Sequence, residues 1–283
     1  MVHHTIEGGG GIALHAVETG SPAGRPILFL HGWSQSHFCW HRQLEDAALQ
    51  SEFRLVALDL RGHGASDRPA AGYDRAELWA ADVHAVLRSL GLEKPVLAGW
   101  SYGGYAIADY VRFHGDGALG AINFVDASTD MGIRVAYRPA RAAGWDGLLP
   151  ADGNDAPNVF SEDARGAAIA METFLSRCVA QPLPYMEALA LLATNLQVNP
   201  STRRALFDRT SANDDVLAAI RVPVLVTHGD DDIIVDPATA EHIAATVPRA
   251  NLSRYAACGH ASMLDHTERF NRELAALTRA AFP

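Results

Sequence analysis

The sequence predicts an α/β fold: a mostly parallel central sheet of about eight strands, flanked by helices and interrupted by a helical insertion. Three observations carry this. Short apolar runs such as "PILFLHG" (26–32) recur and read as strands buried on both faces. Helical segments separate them at the spacing of parallel strands joined by crossovers. Between residues 130 and 215 no strand pattern is found, while helical patterning continues.

The elements follow in order. "VHHTIE" and "GIALHAVE" flank Gly8–Gly11 and predict a hairpin across a flexible turn. "PILFLHG" is the first doubly buried strand; residues 37–50 have helical character. "FRLVALDLRGHG" (53–64) is a second buried strand ending in a glycine-rich loop. Asp74 is placed to cap a helix running through Leu90, with Leu78, Val83, Val86, Leu87 and Leu90 as its apolar side. "KPVLAG" is the next strand, 101–113 the next helix, and "GAINFVDAS" (120–128) a further strand.

In the insertion, Met171, Phe174, Leu175 and Cys178 fall at i, i+3, i+4 and i+7, the period of a helix with one apolar side. Asn199-Pro200 reads as a cap followed by proline in the first turn. "PADGNDAPN" (150–158) is the most loop-like stretch. Strands resume at "VPVLVTHG" (222–229); Asp236-Pro237 opens a helix to about Val247, "NLSRYA" is a last strand, and 266–280 a closing helix. The expected division is a core from 1–129 and 216–283, with a helical cap insertion over 130–215.

Composition excludes some functions. The chain has 283 residues, is 48% hydrophobic, and carries a formal charge of -10. That acidic balance argues against a nucleic-acid or anionic-membrane partner, since both need a basic face. No apolar run reaches the roughly 18 residues of a membrane helix, and "MVHHTIEGGGG" lacks the order of a secretory signal. Cys39, Cys178 and Cys258 are odd in number and widely spaced, which predicts reduced thiols and a cytoplasmic setting.

The chemistry is carried by Gly99-Trp100-Ser101-Tyr102-Gly103, at a junction from strand to helix. There G-x-S-x-G has a mechanical meaning: a sharp turn raises the serine hydroxyl above the sheet, and glycines prevent collisions on either side. A helix N-terminus beneath it favours developing negative charge. The plainer alternative is a capping serine in a tight turn. A nucleophilic serine needs a base, and the base an orienting acid. "VTHGDDDIIVD" supplies Asp230, Asp231 and Asp232 after one buried strand, and "AACGHASML" supplies His260 after the last. The order is Ser, Asp, His.

With these residues in place, the chain resembles the α/β-hydrolase family, and within it the small esterase and non-haem haloperoxidase-like branch. "HGW" (31–33), "DLRGHGASD" (59–67), "GWSYGG" (99–104), "HGDDD" (228–232) and "GH" (259–260) carry the resemblance, in order and spacing. It implies Ser101 as nucleophile, His260 as general base and acid, and Asp232 as the acid that follows His-Gly after two residues. Asp126 is the rival acid, because some branches take theirs from this earlier strand. The resemblance also implies an oxyanion hole from the backbone N–H groups of Trp33 and Tyr102. Two departures are local: Val235-Asp236-Pro237 delays the family's proline by one residue, and Asp265 and Thr267 stand where Glu and Pro are usual.

The expected function is a cofactor-independent, metal-free serine hydrolase acting on a small carboxylic ester or lactone. Haloperoxidase or perhydrolase chemistry, C–C bond hydrolysis, cofactor-free oxygenation and a small-molecule receptor are the alternatives on the same scaffold. Trp33, Trp100, Tyr102 and Trp145 are the expected substrate-binding side chains, with Phe160, Met171, Phe174 and Tyr185 as further candidates at an apolar entrance. His31, His63 and His228 are read as structural hydrogen-bonding residues, and Cys258 as a small packed residue. Asp230–Asp232 are read as a solvated loop rather than a cation site. Arg61-Gly62-His63-Gly64 lacks the lysine of a phosphate cradle. His3-His4 are read as an exposed pair.

Overall fold

The structure is a computed structural model that describes residues 1–129, 143–150 and 156–282. Eight strands form one sheet: β1 (Val2–Glu7), β2 (Ala13–Gly20), β3 (Arg25–Leu30), β4 (Phe53–Asp59), β5 (Val96–Trp100), β6 (Ala121–Val125), β7 (Val224–Gly229) and β8 (Ala250–Tyr255). Their order is β1-β2-β4-β3-β5-β6-β7-β8. β1 pairs antiparallel with β2, and β2 with β4; every later pairing is parallel. The antiparallel start is the predicted hairpin, with Thr5 opposite His15 and His15 opposite Asp59.

Alternation along each strand explains why both faces are covered. Leu28, Leu30 and Leu97 pack on one side with Trp79 and Val83 of the helix Ala76–Ser89 and Ile107 of the helix Gly103–His114. Ile27, Phe29, Ala98 and Trp100 pack on the other with Trp40, Phe270 and Leu274, the last two on the closing helix Thr267–Ala280. Every residue of β5 and β6 is buried, as unbroken apolar runs require.

The helical character expected over 37–50 is divided among a 3-10 turn His37–Trp40 and short helices His41–Leu44 and Ala47–Glu52. Other expectations are corrected. Asp74 does not cap the next helix; Arg75 holds the cap position without a side-chain bond. The entry is fixed instead by the Trp79 indole, which donates to the Tyr73 carbonyl at 2.9 Å. Asn199 precedes Pro200 at a helix start as expected, but its side chain makes no capping bond.

Between β6 and β7 lie the helices Ala164–Arg177, Tyr185–Gln197, Pro200–Asp208 and Asp214–Ala219. The last one spans the expected boundary at 215. Met171, Phe174, Leu175 and Cys178 are all buried, so the i, i+3, i+4, i+7 pattern is the packed face. Residues 130–142, where the insertion is expected to begin, and 151–155 of its loop-like stretch lie outside the described residues. These helices are fastened over the β3 loop. Trp33 Nε1 donates to the Arg203 carbonyl at 3.1 Å, Ser34 Oγ to that of Asn195 at 3.1 Å, and Gln35 Nε2 to Asn195 Oδ1 at 3.0 Å.

Candidate active site

β5 ends at Trp100, and Ser101 turns the chain into the helix Gly103–His114 with φ +53°. A positive φ costs a non-glycine residue about 1–3 kcal/mol, which surrounding packing must impose. The packing is tight enough to do so: a Cβ on Gly99 would stand 2.7 Å from the Gly103 carbonyl oxygen, and one on Gly103 2.5 Å from that of Leu30. The flanking glycines are therefore a condition of the turn.

His260 follows β8 and points Nε2 at Ser101 Oγ, 2.8 Å away. Its Nδ1 lies 2.8 Å from Asp232 Oδ2. A carboxylate can only accept, so Nδ1 carries the proton and Nε2 faces the serine hydroxyl as acceptor. Asp232 Oδ1 accepts the backbone N–H groups of Ile234 and Val235 at 2.8 and 2.9 Å. Burial alone would raise its pKa, but His260 and His228 hold it well below the usual carboxylate range. Asp232 therefore stays ionised beside the imidazole. Ser101, Asp232 and His260, far apart in sequence, meet at the ends of β5, β7 and β8.

The loop after β3 closes the site from the other side. A Cβ on Gly32 would lie 3.2 Å from Ser101 Cβ, so this backbone runs directly beside the serine. Among the described residues, the N–H groups of Trp33 and Tyr102 make no hydrogen bond. Two buried histidines hold the loop: Leu60 N–H donates to His31 Nε2 at 3.0 Å, and Ser34 N–H to His63 Nε2 at 3.3 Å. A ring nitrogen that accepts must be unprotonated. Accordingly, burial lowers His31 to about 4 and His63 to about 3.

Asp126 sits elsewhere. Its Oδ1 accepts from Gly229 N–H at 3.0 Å, and its Oδ2 from the N–H and hydroxyl of Ser262 at 2.8 and 2.7 Å. It ties the loops after β7 and β8 together without bonding to His260. The neighbour that sequence reasoning underrated is His228, whose Nε2 is 3.1 Å from Asp232 Oδ2 and 3.1 Å from the Val235 carbonyl. Burial disfavours its protonation, yet Asp232 and Asp126 raise its pKa. The signal was the i, i+4 spacing of His228 and Asp232.

The remaining candidates separate by their surroundings. Asp230 pairs with Arg254, and Arg61 forms a buried bidentate pair with Asp82 at 2.7 and 2.8 Å. The Cys258 thiol is buried, and burial together with nearby carboxylates pushes its pKa far up, so it forms no thiolate pair. Trp100 and Tyr102 correct the expected substrate wall. The Trp100 ring packs behind His260, donates to its carbonyl at 2.6 Å, and lies against Gly32. Tyr102 is only 3% exposed and packs on Trp79 and Tyr105. Tyr185 is 77% exposed at the start of its helix.

Trp33 and Trp145 do meet, with ring centroids 5.8 Å apart. Phe174 and Phe160 join them at 5.4 and 6.3 Å from Trp33. Phe207, which no motif pointed to, completes the cluster 5.3 Å from Trp145. The Trp145 indole donates to the Ile234 carbonyl at 3.1 Å, which fastens the cluster to the Asp232 loop. Two groups of His and Asp among the described residues bring ligand atoms within 4.8 Å: Asp126–His228–Asp232 and His15–His37–Asp59. The first belongs to the arrangement around Ser101, because its Asp232 carboxylate holds His260.

Comparison with known proteins decides the family. The sequence model of the "Alpha/beta hydrolase family" matches residues 27–273. The chain belongs to the alpha/beta hydrolase family. It is 31% identical over 255 residues to a non-heme haloperoxidase of Rhodococcus erythropolis, covering 89% of this chain and 91% of that one. It is 32% identical over 262 residues to a non-heme chloroperoxidase of Kitasatospora aureofaciens, with the same coverages of 89% and 91%. Among solved structures, an esterase from Rhodococcus sp. ECU1013 superposes with a TM-score of 0.89 at 34% identity, covering 99% of this chain and 100% of that one. Membership and these neighbours support a hydrolase acting on a small molecule. No described helix is long and apolar enough to cross a membrane.

Proposed function

We propose that the chain is a serine hydrolase that cleaves a small carboxylic ester or lactone through an acyl-enzyme on Ser101. The observation that carries this reading is the unbroken chain from Ser101 Oγ to His260 to Asp232, with both links at 2.8 Å. His260 takes the hydroxyl proton as Ser101 attacks the carbonyl carbon. Asp232, ionised and held by two backbone donors, stabilises the imidazolium that results. The negative charge on the carbonyl oxygen is met by the N–H groups of Trp33 and Tyr102, each such donor being worth about 2.7–4 kcal/mol of barrier. His260 then returns the proton to the departing alkoxide, and water activated by the same imidazole releases the acid.

Substrate choice falls to the helices between β6 and β7, acting as a cap. The aromatic cluster of Trp33, Trp145, Phe160, Phe174 and Phe207 supports an apolar acyl or alcohol group of modest size. The haloperoxidase relative supports a second outcome at the same acyl-enzyme, in which hydrogen peroxide replaces water and a peracid leaves.

A fluorophosphonate probe tests the reading: it labels Ser101 in the native protein and nothing in the Ser101→Ala variant. Absence of label together with absence of turnover on short p-nitrophenyl esters overturns it. Tight binding of an ester or lactone without turnover identifies a receptor instead. The same esters with and without peroxide separate hydrolysis from peracid formation.

A further inference from the structure

On the side of the sheet where β1 and β2 pair with β4, a second group of histidines surrounds a carboxylate. Register places it there: His15 stands opposite Asp59, and His3 lies diagonally beyond, two residues from Thr5, the partner of His15. Side chains in such positions share a face and reach one another. His15 Nδ1 is 2.8 Å from Asp59 Oδ2, and His37 Nδ1 is 2.9 Å from Asp59 Oδ1. His3 Nδ1 stands 2.9 Å from His15 Nε2. The Asp59 carboxylate is inaccessible to solvent, while the two imidazoles are 15% and 24% exposed.

We propose that His15 Nδ1, His37 Nδ1 and the Asp59 carboxylate form a binding site for a divalent transition ion of the zinc or cobalt type. Two imidazoles and one carboxylate suit such ions and are a poor set for calcium or magnesium, which take oxygen ligands. Three protein ligands with one side open to solvent leave a coordination position for water. The outer partners are already in place. His37 and Ala65 donate backbone N–H groups to the carboxylate at 2.7 and 3.0 Å, fixing its orientation. When Nδ1 of His15 binds a cation, the ring's remaining proton is on Nε2, facing His3 Nδ1 as acceptor, the kind of outer bond that orients a metal-binding imidazole. Tetrahedral coordination spaces ligand nitrogen and oxygen atoms by about 3.3–3.5 Å. The side chains therefore open by roughly half an ångström to admit the ion.

The test is titration of the full-length protein with Co2+, followed by the visible d–d bands of the bound ion, and with Zn2+ in competition. The expected result is one ion per chain, lost in His15→Gln and in His37→Gln. His3→Gln weakens it by about 10–100-fold, as loss of an outer partner does. His4→Gln leaves it unchanged: the His3-His4 pair expected to be exposed is divided, and His4 is part-buried and bonded to Glu18 at 2.9 Å. No binding of either ion, binding that survives both His15→Gln and His37→Gln, or binding abolished by His4→Gln overturns the proposal. Should a variant fail to fold, paramagnetic shifts in the native protein decide. Co2+ must move the His15 and His37 ring resonances and the Ala65 amide first; shifts confined to other residues overturn the site.

Discussion

Asp232 and Asp59 have nearly the same company. Each accepts from two backbone N–H groups and lies against two imidazole nitrogens: Ile234, Val235, His260 and His228 around Asp232, and His37, Ala65, His15 and again His37 around Asp59. The difference lies beyond the imidazole. His260 leads on to the hydroxyl of Ser101, held at a strained turn beside the Gly32 backbone. His15 leads on to another imidazole at a partly exposed edge. A carboxylate paired with histidine is thus a common local solution to burying a charge. It becomes a candidate for catalysis only where the third group is a nucleophile.

The comparison breaks most sharply at that third group. Ser101→Ala should lower kcat on a p-nitrophenyl ester by about 10^4–10^6-fold while leaving the fold intact. His15→Gln should change kcat by less than about threefold, since nothing joins its ring to a nucleophile. Thermal melts of both variants, run beside the assays, separate lost chemistry from lost structure.

Next comes the acid. Asp232→Asn keeps the shape but removes the charge that selects the Nδ1–H form of His260, and should cost about 10^4-fold in kcat. Asp126→Asn should cost far less in kcat and act through stability, because Asp126 braces Gly229 and Ser262 rather than the imidazole. If the Asp126 variant alone loses turnover, the assignment of the acid is wrong.

These contrasts also show what the sequence could display. β3 to β7 were legible because doubly buried strands are largely unbroken apolar runs, and Ser101 because its glycines are enforced by contacts at Leu30 and Ile107. The company of Asp232 was partly legible: the His-Gly-Asp-Asp-Asp stretch places His228 one helical turn's spacing from Asp232, although the segment is a strand end and a loop. Phe207 and the tether from Gln35 to Asn195 were not, since they depend on how the inserted helices lie over the β3 loop. Trp100 and Tyr102 misled for a related reason. Adjacency to Ser101 fixes their backbone, but strand alternation sends the Trp100 ring into the core on one face, and Tyr102 packs into the other.

A smaller effect separates histidines that donate to carboxylates from those that accept backbone protons. His31 and His63 are held neutral, with folded values of about 4 and about 3 against an ordinary 6.5. Below pH 6.5 the unfolded chain binds protons that the folded chain refuses, so stability falls with falling pH. The loss begins near pH 6.5 and continues to about pH 4 for His31 and about pH 3 for His63. It should total several kcal/mol, read as a decline in Tm between those limits. A flat Tm from pH 7 to 4 would show that neither ring depends on being neutral.

The smallest effect bears on Asp232 itself. His228 faces its carboxylate at 3.1 Å and has a raised pKa there, so it competes with His260 for the same negative charge. Replacing it by glutamine removes an imidazole whose charged form Asp232 favours and leaves a neutral donor. That loss makes Asp232 a stronger partner for an imidazolium at His260. The acid limb of kcat/KM on a p-nitrophenyl ester should therefore move to higher pH. The plateau at higher pH should stay within a few-fold of the parent, because Ser101, His260 and Asp232 all remain. A shift to lower pH, or none with a lowered plateau, would mean that His228 only fills space behind the acid.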